Sequence, residues 1–334
     1  MPRTQDPAPL LLSNGCLRRV LTAAPLMNEI ERCLVGVATG SIAVAPTQHL
    51  PGVDGGFHIK SAYRSIDPPL AVVKMNGNFP GNRDRFGLPT IQGLVALLDL
   101  ERGSVLALLD SMAITSLRTA ATSAVAARRL ARPNASRLAI VGCGLQGRDH
   151  LQIFAAAFRL ERVALFDARQ GVAEELADQA RSLGLEVRVA SSVREATTDA
   201  ELIITATTST APWLLDADVP QGAFVAAVGA DNPTKVELEP QLVARCAVVV
   251  DSLAAASSGG DLRFAIAAGA VGPHHVRAEL PQLLAGAAPG RLAPDERILF
   301  DSTGLAATDL AAAQLALSLA AQEADVPRFD FAAN

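Results

Sequence analysis

The chain has 334 residues, 50% of them hydrophobic and 19% charged, with a formal net charge of −5. Such a length points to two domains, or one large one with an insertion, with ample material for a core, and such a composition to an ordered globular protein. The acidic balance argues against nucleic acid as a partner, and 4% aromatic content, with one Trp and one Tyr, argues against platforms for stacking bases.

Residues 1–24 read as a loose lead-in of Pro, Ala and polar residues. There is no signal-peptide core, and no apolar run approaches a membrane span. Residues 26–38 carry apolar side chains at helical spacing (Leu26, Ile30, Leu34, Val37), closed by Gly40. Strand patterns follow at 42–45, 56–60, 70–75, 94–99 and 105–110, with turn signals at Asp54-Gly-Gly56 and over 76–82. They predict a mostly antiparallel sheet. A helix over 114–130 then runs to a boundary at Arg132-Pro133.

From 137 to 302 the pattern changes. Strands are expected near 140, 165, 188, 204, 226, 249 and 299, with helices around 149–158, 171–183 and 193–199, the rhythm of a doubly wound parallel sheet. Within it, the apolar run Leu138 to Val141 meets Gly142-Cys-Gly144-Leu-Gln-Gly147 and then a helical pattern. This is G-x-G-x-x-G between a strand and a helix. The first glycine allows the turn, the second lets backbone approach a pyrophosphate, and the third lets helix and strand pack closely. The helix start presents unpaired N–H groups to the phosphates. Asp167 ends the next strand about twenty residues on, where an acid accepts the ribose hydroxyls. It repels a 2′-phosphate and so favours NAD over NADP. Arg169 would bind that phosphate if Asp167 turned away. The bland alternative is a glycine turn followed by a loop acid.

The four cysteines (Cys16, Cys33, Cys143, Cys246) show no C-x-x-C and no ligand spacing. They read as reduced thiols of a cytoplasmic protein, and the scattered histidines predict no metal site. Past Gly304, residues 305–323 form an alanine-rich helix with an apolar stripe and no sheet of its own, so it is expected to return to the first domain.

Several stretches carry a resemblance. Val73-Lys-Met-Asn-Gly-Asn-Phe-Pro-Gly-Asn82, Gly87-Leu-Pro-Thr-Ile91, Ser116-Leu-Arg-Thr-Ala-Ala121, Val228-Gly-Ala-Asp-Asn-Pro-Thr-Lys235 and Phe300-Asp-Ser-Thr-Gly304 surround the glycine loop in order. Together they resemble the ornithine cyclodeaminase/mu-crystallin family, from about residue 26 to the end. The resemblance implies an α/β protein: a Rossmann-type doubly wound parallel sheet plus a mixed, mostly antiparallel α+β domain for substrate binding and dimerisation. The latter would span 1–130 and be completed by 304–334, with the NAD-binding domain at 131–303. It also implies a homodimer acting on a small amino-acid or imino-acid substrate by hydride transfer between Cα and nicotinamide.

Residue by residue, Lys74 and Arg118 match the family's α-carboxylate binders, Arg as a fork and Lys as a point charge. The alternative is two surface cations. Asp231 matches the general acid/base at the reacting nitrogen, or else caps a helix before Pro233. Matching cofactor positions are Thr90, Thr119, Gly142, Gly144, Leu145, Gln146, Gly147, Asp167, Thr207, Val228, Lys235 and Ser302. Thr207 is equally readable as a buried hydroxyl bonded to backbone, and Thr303 sits beside the substrate in the family pattern.

Two departures stand out. Where ornithine cyclodeaminases carry Glu-x-Met, this chain has His58 and Lys60. A cation there repels a distal ammonium and suits an anionic or neutral side chain, unless His58 and Lys60 simply face solvent. The upstream family arginine is replaced within Ala45-Pro-Thr-Gln-His-Leu50, so Gln48 or His49 stands in. The expected activity is NAD(H)-dependent interconversion of an α-amino acid and its α-imino acid. A cyclodeaminase that recycles its NAD is the runner-up, and a non-catalytic, crystallin-like dinucleotide binder the rival from another class.

Overall fold

Two sheets organise the chain. The computed structural model describes residues 8–323 and 325–329, and its contacts divide into two units. One runs to Arg118 and resumes at Leu305; the other spans Thr119–Gly304. The division falls inside a long helix, not at Arg132-Pro133 as the composition suggested.

The chain opens with β1 (Leu10–Leu12), α1 (Asn14–Val20) and α2 (Ala23–Ala38). The first sheet continues with β2 (Ala43–Val44), β3 (Gln48–Gly52), β4 (Gly55–Arg64) and β5 (Leu70–Asn78). After α3 (Asn82–Phe86) come β6 (Ile91–Asp99), β7 (Val105–Asp110) and the long α4 (Ser111–Leu130).

The second unit begins with β8 (Arg137–Val141), α5 (Leu145–Ala157), β9 (Arg162–Phe166), α6 (Gln170–Ser182) and β10 (Glu186–Val189). Next are α7 (Val193–Thr197), β11 (Leu202–Thr205), β12 (Phe224–Ala227), α8 (Pro240–Ala244) and β13 (Ala247–Val250). It closes with α9 (Leu253–Gly259), α10 (Asp261–Ala267), β14 (Val276–Glu279), α11 (Leu280–Leu284) and β15 (Ile298–Asp301). Helix α12 (Ala306–Ala320) belongs to the first unit.

In the first unit the strand order is β1-β7-β6-β5-β4-β2, with β3 also on β4. All pairs are antiparallel except β1 on β7. Side chains alternate across such a sheet, and the face bearing Ala62, Val72, Val95, Leu97 and Ala107 is fully buried. Helices α12 and α2 pack on each other, and α12 also packs on β4, β5 and β6.

Three expectations need correction here. The lead-in is not loose over 10–20: β1 pairs with β7, and the Ser13 hydroxyl caps α1 by accepting from the Cys16 amide. Three leucines are too short a run to show a period. The turn signals over 76–82 do not stop β5, which continues to Asn78 because Asn78 pairs with Ile91 of β6. Helix α12 has no stripe, since residues 306–313 are buried all round. Strands β3 and β14 lacked a readable pattern.

In the second unit all eight strands are parallel, in the order β10-β9-β8-β11-β12-β15-β13-β14. The chain leaves β8 towards β9 and returns to β11 on its other side. That reversal opens a crevice at the carboxyl ends of β8 and β11. The central strands carry continuous apolar runs because both faces are covered.

Leu310 of α12 has no exposed surface. Leu310→Ala is expected to lower unfolding free energy by about 2–5 kcal/mol, read as a fall in the denaturant midpoint with an unchanged slope.

Candidate functional site

In the first unit one acid organises the polar end of the buried sheet face. Asp309 is the only charged residue of α12 and has no exposed surface. Its Oδ1 accepts from Lys74 Nζ at 2.8 Å and forms an ion pair with Arg118 Nε at 3.0 Å. Lys74 and Arg118 are themselves 3% and 5% exposed, so they are not surface cations. Strand β5 fixes Lys74 and helix α4 fixes Arg118.

The electrostatics follow from burial. Desolvation, reinforced by Arg118 and Lys60, pulls the Lys74 ammonium down to about 7, against the pull of Asp309. Burial pushes the Asp309 carboxyl up, but Lys74 and Arg118 outweigh it and hold it below its ordinary value. The result is a lysine that changes charge near neutrality.

Strand register decides the residues around this cluster. Lys60 lies directly across from Lys74, and His58 across from Asn76. Directly opposed residues share a face, so Lys60 and His58 stand on the Lys74 side, each half-buried. His49 pairs with His58 from β3, their rings meeting edge-on at 4.5 Å. Gln48 pairs with Ile59 and therefore points to the opposite face. Of Gln48 and His49, the register puts His49 on the face of Lys74 and Gln48 on the other.

In the second unit the glycine loop joins β8 to α5. Gly142 has a φ of +96°, and a Cβ there would lie 2.4 Å from the Ala206 carbonyl oxygen just after β11. A Cβ on Gly147 would lie 2.3 Å from the Gly142 carbonyl oxygen. Both positions admit only glycine. Leu145 and Gln146 start α5 beside the N-cap Gly144. Asp167 accepts from the amides of Cys143 and Arg169, each at 2.9 Å, which ties it to the loop. Arg169 pairs with Asp167, and Asp167 has not turned away. Burial pushes the Cys143 thiol up to about 12, leaving it an inert loop residue.

Sequence reasoning missed Glu237. This fully buried carboxylate takes four donors: Thr205 Oγ1 at 2.6 Å, the Thr207 amide and hydroxyl at 2.7 Å, and the Gly229 amide at 2.9 Å. It thereby clamps the loops that leave β11 and β12, the loops carrying Thr207 and Val228. A Cβ on Gly229 would lie 2.5 Å from the Glu237 carboxylate, so the glycine is the clamp's own requirement. Thr207 Oγ1 donates to the Glu237 carboxylate and accepts from the Ser209 amide at 3.3 Å and from Trp213 Nε1 at 3.2 Å, so the backbone bond read from sequence is present beside the carboxylate one.

Asp261 in turn holds the amides of Glu237 and Leu238 at 2.7 and 2.9 Å. Burial and the Glu237 charge push its carboxyl up to about 7. Asp251, just past β13, accepts from Ser302 Oγ at 3.2 Å and Thr303 Oγ1 at 3.0 Å. No pattern flagged these acids, because each is a single carboxylate in an ordinary apolar context.

Asp231 lies in an irregular segment after β12, so the helix-capping alternative falls away. Its side chain is 50% exposed and pairs with Lys235 at 2.9 Å. Thr90 is exposed before β6, and its carbonyl accepts from the Phe79 amide. Thr119 is buried in α4. Among the described residues no group of three or more His, Cys, Asp or Glu is placed to hold a metal ion. Nor is any helix long and apolar enough to cross a membrane.

A buried lysine on one sheet, the arginine of α4 beside it and a glycine loop on the other sheet are the parts that the sequence resemblance assigned to one family, and the family model matches residues 15–322. The chain belongs to the ornithine cyclodeaminase/mu-crystallin family. Within this family, mouse ketimine reductase mu-crystallin is 38% identical over 262 residues, covering 78% of this chain and 79% of the mouse protein. An archaeal alanine dehydrogenase dimer with bound NAD superposes with a TM-score of 0.91 at 30% identity, covering 97% of this chain and 99% of that one. Thermococcus litoralis Delta(1)-pyrroline-2-carboxylate reductase, in complex with NADH and L-proline, gives 0.90 at 28% identity, covering 96% and 100%.

Trp213 is the protein's single tryptophan, so it reports on the Glu237 clamp of this family member. Glu237→Gln turns an amide N–H towards groups that already donate, at a cost of about 1–3 kcal/mol for each stranded donor. The expected result is a shifted tryptophan emission maximum together with a lower thermal midpoint. Unchanged emission and midpoint would show that the clamp is not needed.

Proposed function

We propose that the protein interconverts an α-amino acid and its α-imino acid with NAD(H), as a homodimer in the cytoplasm. The observation that carries this reading is the buried pair Lys74 and Arg118, both fixed by Asp309. Three buried charges are expensive to desolvate, and a carboxylate ligand is what such a pair is built to receive.

The second unit fits the dinucleotide. Its glycine loop admits no side chain at Gly142 or Gly147, the start of α5 offers free N–H groups, and Asp167 is held where a ribose is expected. Thr207, Val228, Lys235 and Ser302 follow the carboxyl ends of neighbouring strands. NAD(H) held by these residues would supply the hydride acceptor or donor for Cα. Lys74 and Arg118 hold the α-carboxylate and so orient Cα. Asp231 takes a proton from the substrate nitrogen in the oxidative direction and returns it in the reductive one, oriented by Lys235.

The outer face of the first sheet exposes Phe57, Tyr63 and Leu94, at 36%, 46% and 41%. That apolar surface supports a dimer, as found in the archaeal neighbour, and equilibrium sedimentation tests it. Four free, buried cysteines suit a reducing compartment.

The deciding assay follows nicotinamide absorbance and free ammonia together. NADH with a 2-oxo acid plus amine, or with a cyclic ketimine, is expected to be consumed; NAD with an amino acid is expected to be reduced in step with product. Ammonia released from a diamino acid at constant absorbance would instead make the enzyme a cyclodeaminase. Asp231→Asn is expected to lower kcat by about 10²–10⁴-fold, and turnover within a few-fold of wild type would remove Asp231 from this role.

Lys74 binds a carboxylate as the ammonium, so kcat/KM is expected to fall as pH rises through about 7. Asp309 raises the Lys74 pKa, so Asp309→Asn moves that fall to lower pH. An unmoved limb in the variant would separate the profile from Lys74.

A further inference from the structure

The polar end of the first sheet's buried face carries more positive charge than one α-carboxylate needs. Lys60 stands directly opposite Lys74 in the β4–β5 pair, an arrangement of like charges that is destabilising in itself. Its charge is felt by both neighbours, lowering the pKa of Lys74 and of Asp309. Asp309 meets Lys74 and Arg118 through the same oxygen. Beyond Lys60 the same face presents His58 and, from β3, His49, whose rings are in edge contact.

We propose that Lys60, with His58 and His49, forms a second anion-binding position, and that the substrate is an α-imino or α-amino dicarboxylate. This rests on the function proposed above and names the substrate class of that site. Geometry favours it. Adjacent strands lie about 4.8 Å apart, so stepping from Lys74 on β5 to Lys60 on β4 covers the separation of two carboxylates in a four- or five-carbon diacid. One carboxylate settles on Lys74 and Arg118, the other on Lys60, and the dianion relieves the opposition of the two ammonium groups. The imidazoles supply N–H donors flanking the distal carboxylate. A distal ammonium meets repulsion at the same position, and an apolar side chain gains nothing from the charge of Lys60.

The test compares kcat/KM for two substrate sets on the full-length protein with NADH and ammonium. Oxaloacetate and 2-oxoglutarate form the dicarboxylate set; pyruvate and a cyclic ketimine monocarboxylate form the other. The wild type is expected to favour a dicarboxylate by about 100-fold, the scale of one charge-assisted contact of roughly 3 kcal/mol. In Lys60→Met the ratio is expected to collapse towards one, and in Lys60→Arg to persist. If Lys60→Met does not fold, the wild-type ranking and Lys60→Arg still decide. Preference for a monocarboxylate, or equal losses for both classes in Lys60→Met, would overturn the inference while leaving the amino/imino-acid reaction standing. No turnover of either class in either direction would overturn both.

Discussion

A carboxylate placed inside an apolar helix is unstable unless something answers its charge, and Asp309 is answered by Lys74 and Arg118. The dependence runs both ways. Removing water from an ammonium and a guanidinium costs several kcal/mol per ion, and the acid on α12 offsets part of that cost. The interaction that closes the helix over the sheet is therefore also the one that sets where two cationic tips stand. Packing and chemistry cannot be varied independently there, because loosening one misplaces the other.

The second unit solves the reverse problem with the reverse material. Its buried acids are met by N–H and O–H donors, four of them on Glu237 alone. A carboxylate saturated in this way acts as a rivet between loops. Parallel strands bring several chain reversals to one edge, and a rivet spanning two of them prevents each loop from drifting alone. Gly229 shows how tightly this is built, since no side chain fits between the loop and the acid.

Much of this was readable from residue order. The parallel sheet announced itself through apolar runs alternating with helical patterns, and the glycine loop through its setting between strand and helix. Lys74, Arg118 and Asp167 were singled out because their motifs surround them. What was not readable has a common cause: it depends on which residues face each other across distance. Gln48 and His49 are neighbours in sequence, and only the β3–β4 register separates them onto opposite faces. Asp309 sits alone in an alanine-rich helix; its one signal was the oddity of a lone acid in such a setting. Glu237 and Asp261 show no spacing at all, because hydrogen bonds from distant loops define their roles. The order of residues 10–20 was missed because an apolar triplet has no measurable period.

The pair Lys74–Asp309 spans 235 positions of the chain, and Leu10 bridges to Arg328. During synthesis the ribosome delivers the whole second unit before the partner of Lys74 exists. Until α12 is made, that sheet face and its cations stand open to water, while the parallel sheet made in between already has all its strands. Helix α12 thus completes a domain that was begun before the parallel unit and is finished after it.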